Sequence, residues 1–314
     1  MTPFDVHILG CGSATPSLRH LPACQVVDFR GRLLMIDCGE GAQLSMRRQH
    51  LKFSRLTDIF ISHLHGDHFL GLPGLLSTLA LHQAGGTVTV HCFEQGINVL
   101  QHIMNVFCRE TSFDLKYHAI SPEGGVVLED KSLKVTAFPL NHRVPCCGYR
   151  LDEQPKLRHL RGDMAKFYNI PHYMLAGIKE GMDYLTPEGE LIANERLTTA
   201  ADASVSYAYC SDTQYDPSIV PYVDGVDVLY HEATYGDDKS FNAAPRGHCT
   251  ARDAARIARQ ANVKKLIIGH FSKTYESEKE LVEQARQVFP ATEAATEGMV
   301  IDVNTQRTTN VYNR

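Results

Sequence analysis

Short apolar runs alternate with turn residues along almost the whole chain, a pattern that predicts an α/β fold. Val6-His7-Ile8-Leu9 runs into Gly10-Cys11-Gly12 and reads as a strand entering a glycine turn. Leu33-Leu34-Met35-Ile36 runs into Asp37-Cys38-Gly39-Glu40-Gly41 in the same way. Ile59-Phe60-Ile61, Val88-Thr89-Val90 and Val126-Val127-Leu128 are further strand candidates, each short and bounded by Gly, Asp, Asn or Pro. Helical spacing falls between the strands. Leu72 to His82 is apolar at helical intervals. Thr250-Ala251-Arg252-Asp253 has the form of a capping box and leads into Ala254, Ala255, Ile257, Ala258 and Ala261 on one face. Glu278 to Phe289 places Leu281, Val282, Ala285 and Val288 at helical spacing. Stripes of this kind predict core-facing helices rather than binding surfaces.

One stretch breaks the rhythm. From Asp152 to about Thr199 there is no strong strand, and Gly, Pro and charge are scattered throughout. Nothing in it would build a core alone, so it predicts an insertion projecting from a compact body. With no internal repeat, linker or low-complexity tract, the expected organisation is a single domain over residues 1–314, with an arm inserted at about 152–199.

Composition narrows the classes. The chain has 314 residues, 43% hydrophobic and 21% charged, which excludes a disordered or fibrous protein. No run approaches the roughly 20 apolar residues that span a bilayer, so no membrane association is expected. The first residues show neither a basic nor an apolar signal region, and the nine cysteines form no Cys-x-x-Cys pair. Buried thiols in a reducing, cytoplasmic setting are the expectation. Two numbers pull in different directions. The net charge of −5 argues against bulk attraction to nucleic acid, while 16 histidines point to metal or proton chemistry where they cluster.

They do cluster. Ser62-His63-Leu64-His65-Gly66-Asp67-His68 holds four potential metal ligands within six residues, delivered by the strand at Ile59–Ile61. His63 and His65 point the same way in extended chain, and Gly66 lets Asp67 and His68 approach from another direction. That arrangement favours two ions over one. Three other ligand-type residues also follow strand-like runs: His142 after 133–138, Asp212 after 205–210, and His270 after 265–268. Ligands in α/β proteins gather at the carboxyl ends of strands. On this count His63, His65 and His142 serve one ion, Asp67, His68 and His270 serve a second, and Asp212 bridges both. Imidazole with carboxylate suits zinc, and manganese or iron would also be accepted. Two such ions activate a shared water and clamp the oxygens of a phosphodiester.

In this order, the His-x-His-x-Asp-His segment with His142, Asp212 and His270 resembles the metallo-β-lactamase superfamily. Leu9–Pro16 with Arg19, Ile36–Gly41, Ser62–Gly74, His231-Glu232-Ala233-Thr234 and His270-Phe271-Ser272 are similar to motifs of its RNase Z family. The resemblance implies a four-layer αββα sandwich, two zinc ions per chain, a homodimer, and precursor tRNA as substrate, cut to remove the 3′ trailer. It makes Asp67 the proton acceptor, and His248 with Glu232 a relay to the departing 3′ oxygen. It also makes the insertion a tRNA-gripping arm, whose first part offers Lys156, Arg158, Arg161 and Lys166 against Asp163. Asp37 is expected to organise the ligand loops. Three departures stand out: Cys249 replaces the family's serine, Lys273 stands where an arginine is common, and the arm lacks a Gly-Pro dipeptide. Lys273 would act as a point charge toward phosphate. The alternatives are a hydrolase of small phosphodiesters or other esters, and a non-catalytic RNA-binding scaffold. Retention of all seven ligands argues against the scaffold, and the basic arm against the small-substrate enzyme.

The resemblance also resolves the charge puzzle. Two divalent cations would offset the formal acidity, and basic residues concentrate locally, as in Arg47, Arg48, Lys52 and Arg55. A polyanion would meet a focused patch rather than the average charge.

Overall fold

Alternation along the strands sorts the apolar side chains into two cores. In the strand Arg32–Ile36, Leu33 and Met35 face one way and Leu34 and Ile36 the other. The first pair packs with Ala42, Met46, Leu75 and Leu100 of three helices, Ala42–Arg48, Leu72–Leu81 and Glu94–Phe107. The second pair joins Phe4, Val6, Ile8 and Phe60 against Val135, Tyr149, Leu151, Tyr207 and Ile267 of another sheet. The computed structural model describes residues 3–15, 17–82 and 85–313, and Pro16, quoted above in the first motif, lies outside them.

Among the described residues the first sheet orders its strands Arg307–Asn310, Met299–Asp302, Phe4–Gly10, Cys24–Phe29, Arg32–Ile36, Leu56–Phe60, Thr87–Cys92 and Asp114–Ala119. From Arg32–Ile36 onward its neighbours are parallel. The second sheet runs Thr292–Ala294, Lys265–Gly269, Val228–Glu232, Ser206–Cys210, Cys146–Glu153, Leu133–Leu140 and Gly125–Glu129. Its first four strands are parallel and the rest antiparallel. The helices Ala251–Gln260 and Lys279–Arg286 cover this sheet through Ala254, Ala255, Ile257, Ala258, Leu281 and Ala285. Layers therefore follow the order helix, sheet, sheet, helix, as expected of the αββα sandwich. Thr250 and Asp253 close the anticipated capping box reciprocally.

The excursion after Glu153 differs from expectation in one respect. It contains short helices, paired two-residue strands, and a small apolar cluster of its own, Ile178, Tyr184, Ile192 and Leu197. Asn194 ties that cluster together by donating to the Ile178 and Met182 carbonyls at 2.7 and 2.8 Å. The periodicity of so short an apolar set is too weak to read from sequence. All nine cysteines are free, and every one but Cys108 is buried.

Leu34→Ala, at the interface of the two sheets, is expected to cost about 2–5 kcal/mol in urea unfolding. The exposed Leu44→Ala should stay within about 0.5 kcal/mol.

Candidate metal centre

Four strands end at one rim, and each hands over a ligand-type residue. Leu56–Phe60 of the first sheet leads to the segment 62–68. In the second sheet, Leu133–Leu140, Ser206–Cys210 and Lys265–Gly269 lead to His142, Asp212 and His270. Parallel register aligns these ends, with Cys210 opposite His231 and Glu232 opposite Gly269.

The rim draws together all seven residues expected from sequence. Ligand atoms of His63, His65, His142 and Asp212 lie within 4.8 Å of one another, as do those of Asp67, His68 and His270. His65 Nδ1 stands 3.0 Å from His63 Nε2 and 3.2 Å from His142 Nε2. His68 Nε2 and His270 Nε2 are 3.4 Å apart, and Asp67 Oδ2 is 3.4 Å from His270 Nε2. Asp212 faces both groups: Oδ2 is 3.5 Å from His63 Nε2, and Oδ1 is 3.2 Å from His270 Nε2.

These atoms suit divalent cations. Nitrogens set 2.0–2.1 Å from a tetrahedral zinc stand about 3.3 Å apart, close to the spacings here. Asp212 Oδ1 is buried without a hydrogen-bond donor, an arrangement that costs free energy unless a cation satisfies it. Burial, reinforced by the neighbouring imidazoles, pulls His63 well below its usual pKa and so favours the neutral, ligating form. Burial likewise lowers His65 and His142. His68 runs the other way: burial opposes its charge, but Asp37 and Asp212 outweigh burial and raise it. Positive charge is what this pocket of carboxylates demands.

The ring orientations come from surrounding acceptors. His68 Nδ1 donates to Asp37 Oδ2 at 2.7 Å, and His142 Nδ1 donates to the Gly247 carbonyl at 2.7 Å. His270 Nδ1 donates to Thr234 Oγ1 at 2.9 Å, whose hydroxyl donates to Glu232 Oε2 at 2.8 Å. The Nε2 atoms of His63, His68, His142 and His270 are thereby left for the centre, while His65 offers Nδ1. Asp37, fully buried, also accepts from Ser62 N, Ser62 Oγ and Tyr209 OH at 2.7, 2.9 and 2.8 Å. Asp37 and His270 hold positive φ, 56° and 61°, conformations a non-glycine residue keeps only where its surroundings impose them. Gly247 needs its φ of 78°, and a Cβ there would lie 2.6 Å from His142 Nδ1.

Beside the cluster, His248 Nδ1 donates to the buried Glu232 Oε1 at 2.9 Å. Burial opposes a charge on His248, but Glu232 prevails and pushes the imidazole up to about 9. Glu232 also accepts from the backbone N–H groups of Thr213, Thr234 and Cys249 at 3.1, 3.0 and 3.1 Å. Position 249 therefore contributes its N–H, which a cysteine supplies as well as a serine. Asp67 Oδ2 accepts from the Ala14 N–H at 2.7 Å. The loop carrying Ala14 is tethered by His20, bonded at Nε2 to Glu278 (2.9 Å) and at Nδ1 to Glu297 (3.0 Å).

The basic residues expected from sequence divide. Lys273 lines a cavity of about 390 Å³ next to His248, in company with Arg143 and Arg246, which sequence reasoning passed over. Their signal was adjacency, since Arg143 follows His142 and Arg246 stands two before His248. In the excursion, Lys156 pairs with Glu153 at 2.8 Å and Arg158 donates to Thr198 Oγ1 at 2.7 Å. Arg161 pairs with Asp163 at 3.2 Å, and Lys166 is exposed. None of these four lines the cavity beside the cluster. Arg55 is neutralised by Asp28 at 2.6 Å.

Asp37→Ala is expected to weaken metal retention about 10–100-fold in competition with a chelator, because His68 loses its orienting acceptor. A second prediction concerns pH. Burial opposes protonation of His20, but Glu278 and Glu297 raise its pKa to about 9 from 6.5. A raised histidine stabilises fully below its unfolded value, so this contribution is complete below about pH 6.5 and lost as pH rises through about 9. Urea titrations across that window should show the decline, and His20→Ala should flatten it.

Similarity to known proteins agrees with this architecture. A family described as the anti-Pycsar protein Apyc1 matches residues 4–152. Ribonuclease Z of Parabacteroides distasonis is 48% identical over 304 residues, covering 96% of this chain and all of that protein. Ribonuclease Z of Porphyromonas gingivalis is 49% identical with the same coverage. Among solved structures, the short form of human tRNase Z superposes with a TM-score of 0.69 at 24% identity, over 95% of this chain and 99% of that one. A metallo-β-lactamase fold protein, YhfI of Bacillus subtilis, gives a TM-score of 0.68 at 19% identity, over 95% and 98% of the two chains. The sandwich is thus the metallo-β-lactamase fold, and the full-length sequence identity makes this chain a member of the ribonuclease Z family.

Proposed function

We propose that this chain is a metal-dependent endoribonuclease that removes the 3′ trailer of precursor tRNA, leaving a 3′ hydroxyl on the tRNA and a 5′ phosphate on the trailer. One observation carries the reading. Half-buried His248, held by buried Glu232, opens onto a cavity rimmed by cations, immediately beside seven convergent residues of metal-ligating type. A small-substrate hydrolase has no need of that cationic rim, and a non-catalytic scaffold has no need of the full ligand set.

His63, His65 and His142 would hold one zinc ion and Asp67, His68 and His270 the other, with Asp212 between them; when bound, the pair supplies Lewis acidity and a lowered water pKa. The residues do the rest. Asp67, steadied by the Ala14 N–H, orients the attacking water and accepts its proton. His248 has its Nδ1 committed to Glu232, so Nε2 remains to protonate the departing 3′ oxygen. Glu232 keeps that imidazole charged and oriented; burial opposes the carboxylate's charge, but His248, His270 and the Thr234 N–H outweigh it and keep Glu232 ionised.

The excursion at about 152–199 is, in this reading, an arm that grips the tRNA away from the cut, with Lys166 and Arg161 among its exposed cations. A homodimer working in the cytoplasm completes the proposal. Among the described residues no helix is long and apolar enough to cross a membrane.

The test is to incubate the purified protein with precursor tRNA, with and without chelator, and map the ends. A single chelator-sensitive cut near the 3′ end of the acceptor stem is expected. No such cut, with two metals confirmed bound, would sink the reading. His248→Ala should lower kcat about 10²–10⁴-fold with KM little changed, consistent with loss of a general acid. Asp212→Ala should abolish activity and lower metal content.

A further inference from the structure

We infer that Arg143, Arg246 and Lys273 form a phosphate-binding subsite, and that it seats the 5′ phosphate of the nucleotide whose 3′ oxygen departs. The inference rests on the nuclease reading and deepens it. Three separate parts of the chain supply these cations: the turn after Leu133–Leu140, the end of the helix Ser240–Arg246, and the loop after Lys265–Gly269. All three side chains are exposed and line one cavity of about 390 Å³. Ser13, Ala14, Thr15, Thr234, Tyr235, Ser272 and Thr274 add hydroxyls and backbone, and no carboxylate is among the lining residues. That volume is ample for a small anionic group, at the low end of the roughly 300–1,000 Å³ of ligand pockets.

Convergence on one cavity distinguishes these cations. Several arginines and lysines elsewhere are tied to acids, as in Arg30–Glu153, Arg55–Asp28, Arg252–Asp237 and Lys264–Asp227. Among the described residues Arg143, Arg246 and Lys273 have no acidic partner within ion-pair distance. The chain has five more acids than bases, so three unpaired cations around one cavity call for an anion that is not part of the protein. Arg246 Nη1 donates to Tyr235 OH at 3.1 Å, which fixes its side chain and leaves its other N–H groups for a ligand.

Direction follows from His248, which lines the same cavity. The group that protonates the departing 3′ oxygen must lie on the side of the nucleotide carrying that oxygen. A cavity reached past His248 therefore receives the retained, tRNA side of the cut, and the next phosphate there is that nucleotide's own 5′ phosphate. Phosphate contacts of this kind position a strand without reading its sequence.

The experiment is a cycle between protein and substrate. Precursor tRNA is prepared with an uncharged methylphosphonate at that one phosphate, and cleaved by wild type and by the variant R143Q/R246Q/K273Q. Wild type should show KM raised about tenfold by the modification, with kcat changed far less. The variant should show a similarly raised KM on unmodified precursor, and no further rise on the modified one. Its dependence of log KM on log salt should be shallower by roughly one unit per lost contact. Metal content and thermal unfolding verify that the variant is folded. Equal penalties from the modification in both proteins, or none in wild type, would overturn the subsite while leaving the nuclease reading intact. Failure of wild type to cut unmodified precursor would overturn both.

Discussion

A single buried carboxylate holds the centre in register. Asp37 follows the strand Arg32–Ile36 of the first sheet and accepts hydrogen bonds from Ser62, His68 and Tyr209. Tyr209 belongs to the second sheet, so the two halves of the sandwich meet at one anion. Taking that charge out of water is costly unless donors compensate it, and here four do, one at Oδ1 and three at Oδ2. The positive φ of Asp37 is the local strain accepted for this position. Replacing the carboxylate would release His68, the metal loop and the inter-sheet contact together.

Around this anchor, negative charge accumulates faster than the chain neutralises it. Asp37, Asp67, Asp212 and Glu232 crowd one rim and are nearly all buried. The protein answers with imidazoles: neighbouring carboxylates raise the pKa of His68 and His248, while burial lowers that of His63, His65 and His142. The division follows geometry, since the first two touch carboxylates at 2.7 and 2.9 Å. His68 and His248 both commit Nδ1 to a carboxylate, so what differs is where Nε2 points: into the ligand cluster for His68, beside it for His248.

The acidic total obscured the electrostatics that matter. Net charge is an average, whereas a polyanion meets the local field at a rim where acids are engaged by donors and ligands. Of the basic residues prominent in the sequence, Arg55 and Lys156 are spent on internal ion pairs. Arg143 and Arg246 carry no signal as a run, yet folding sets them beside Lys273.

Linear sequence determined the parts of this protein whose physics is local. The segment 62–68, the strand-then-ligand order and the capping box at Thr250 were legible because each depends on neighbours a few residues away. Strands such as Cys24–Phe29 and Cys146–Glu153 were not, because polar and charged residues interrupt their apolar runs and only pairing reveals the inward alternation of Cys147, Tyr149 and Leu151. The cluster Ile178, Tyr184, Ile192 and Leu197 was hidden for a similar reason, its members being too far apart to form a period. Tertiary structure alone decided that Cys249 acts through its N–H and that three distant cations share a cavity. Each of those facts is a distance between residues remote in sequence, set by the packing of two sheets against each other.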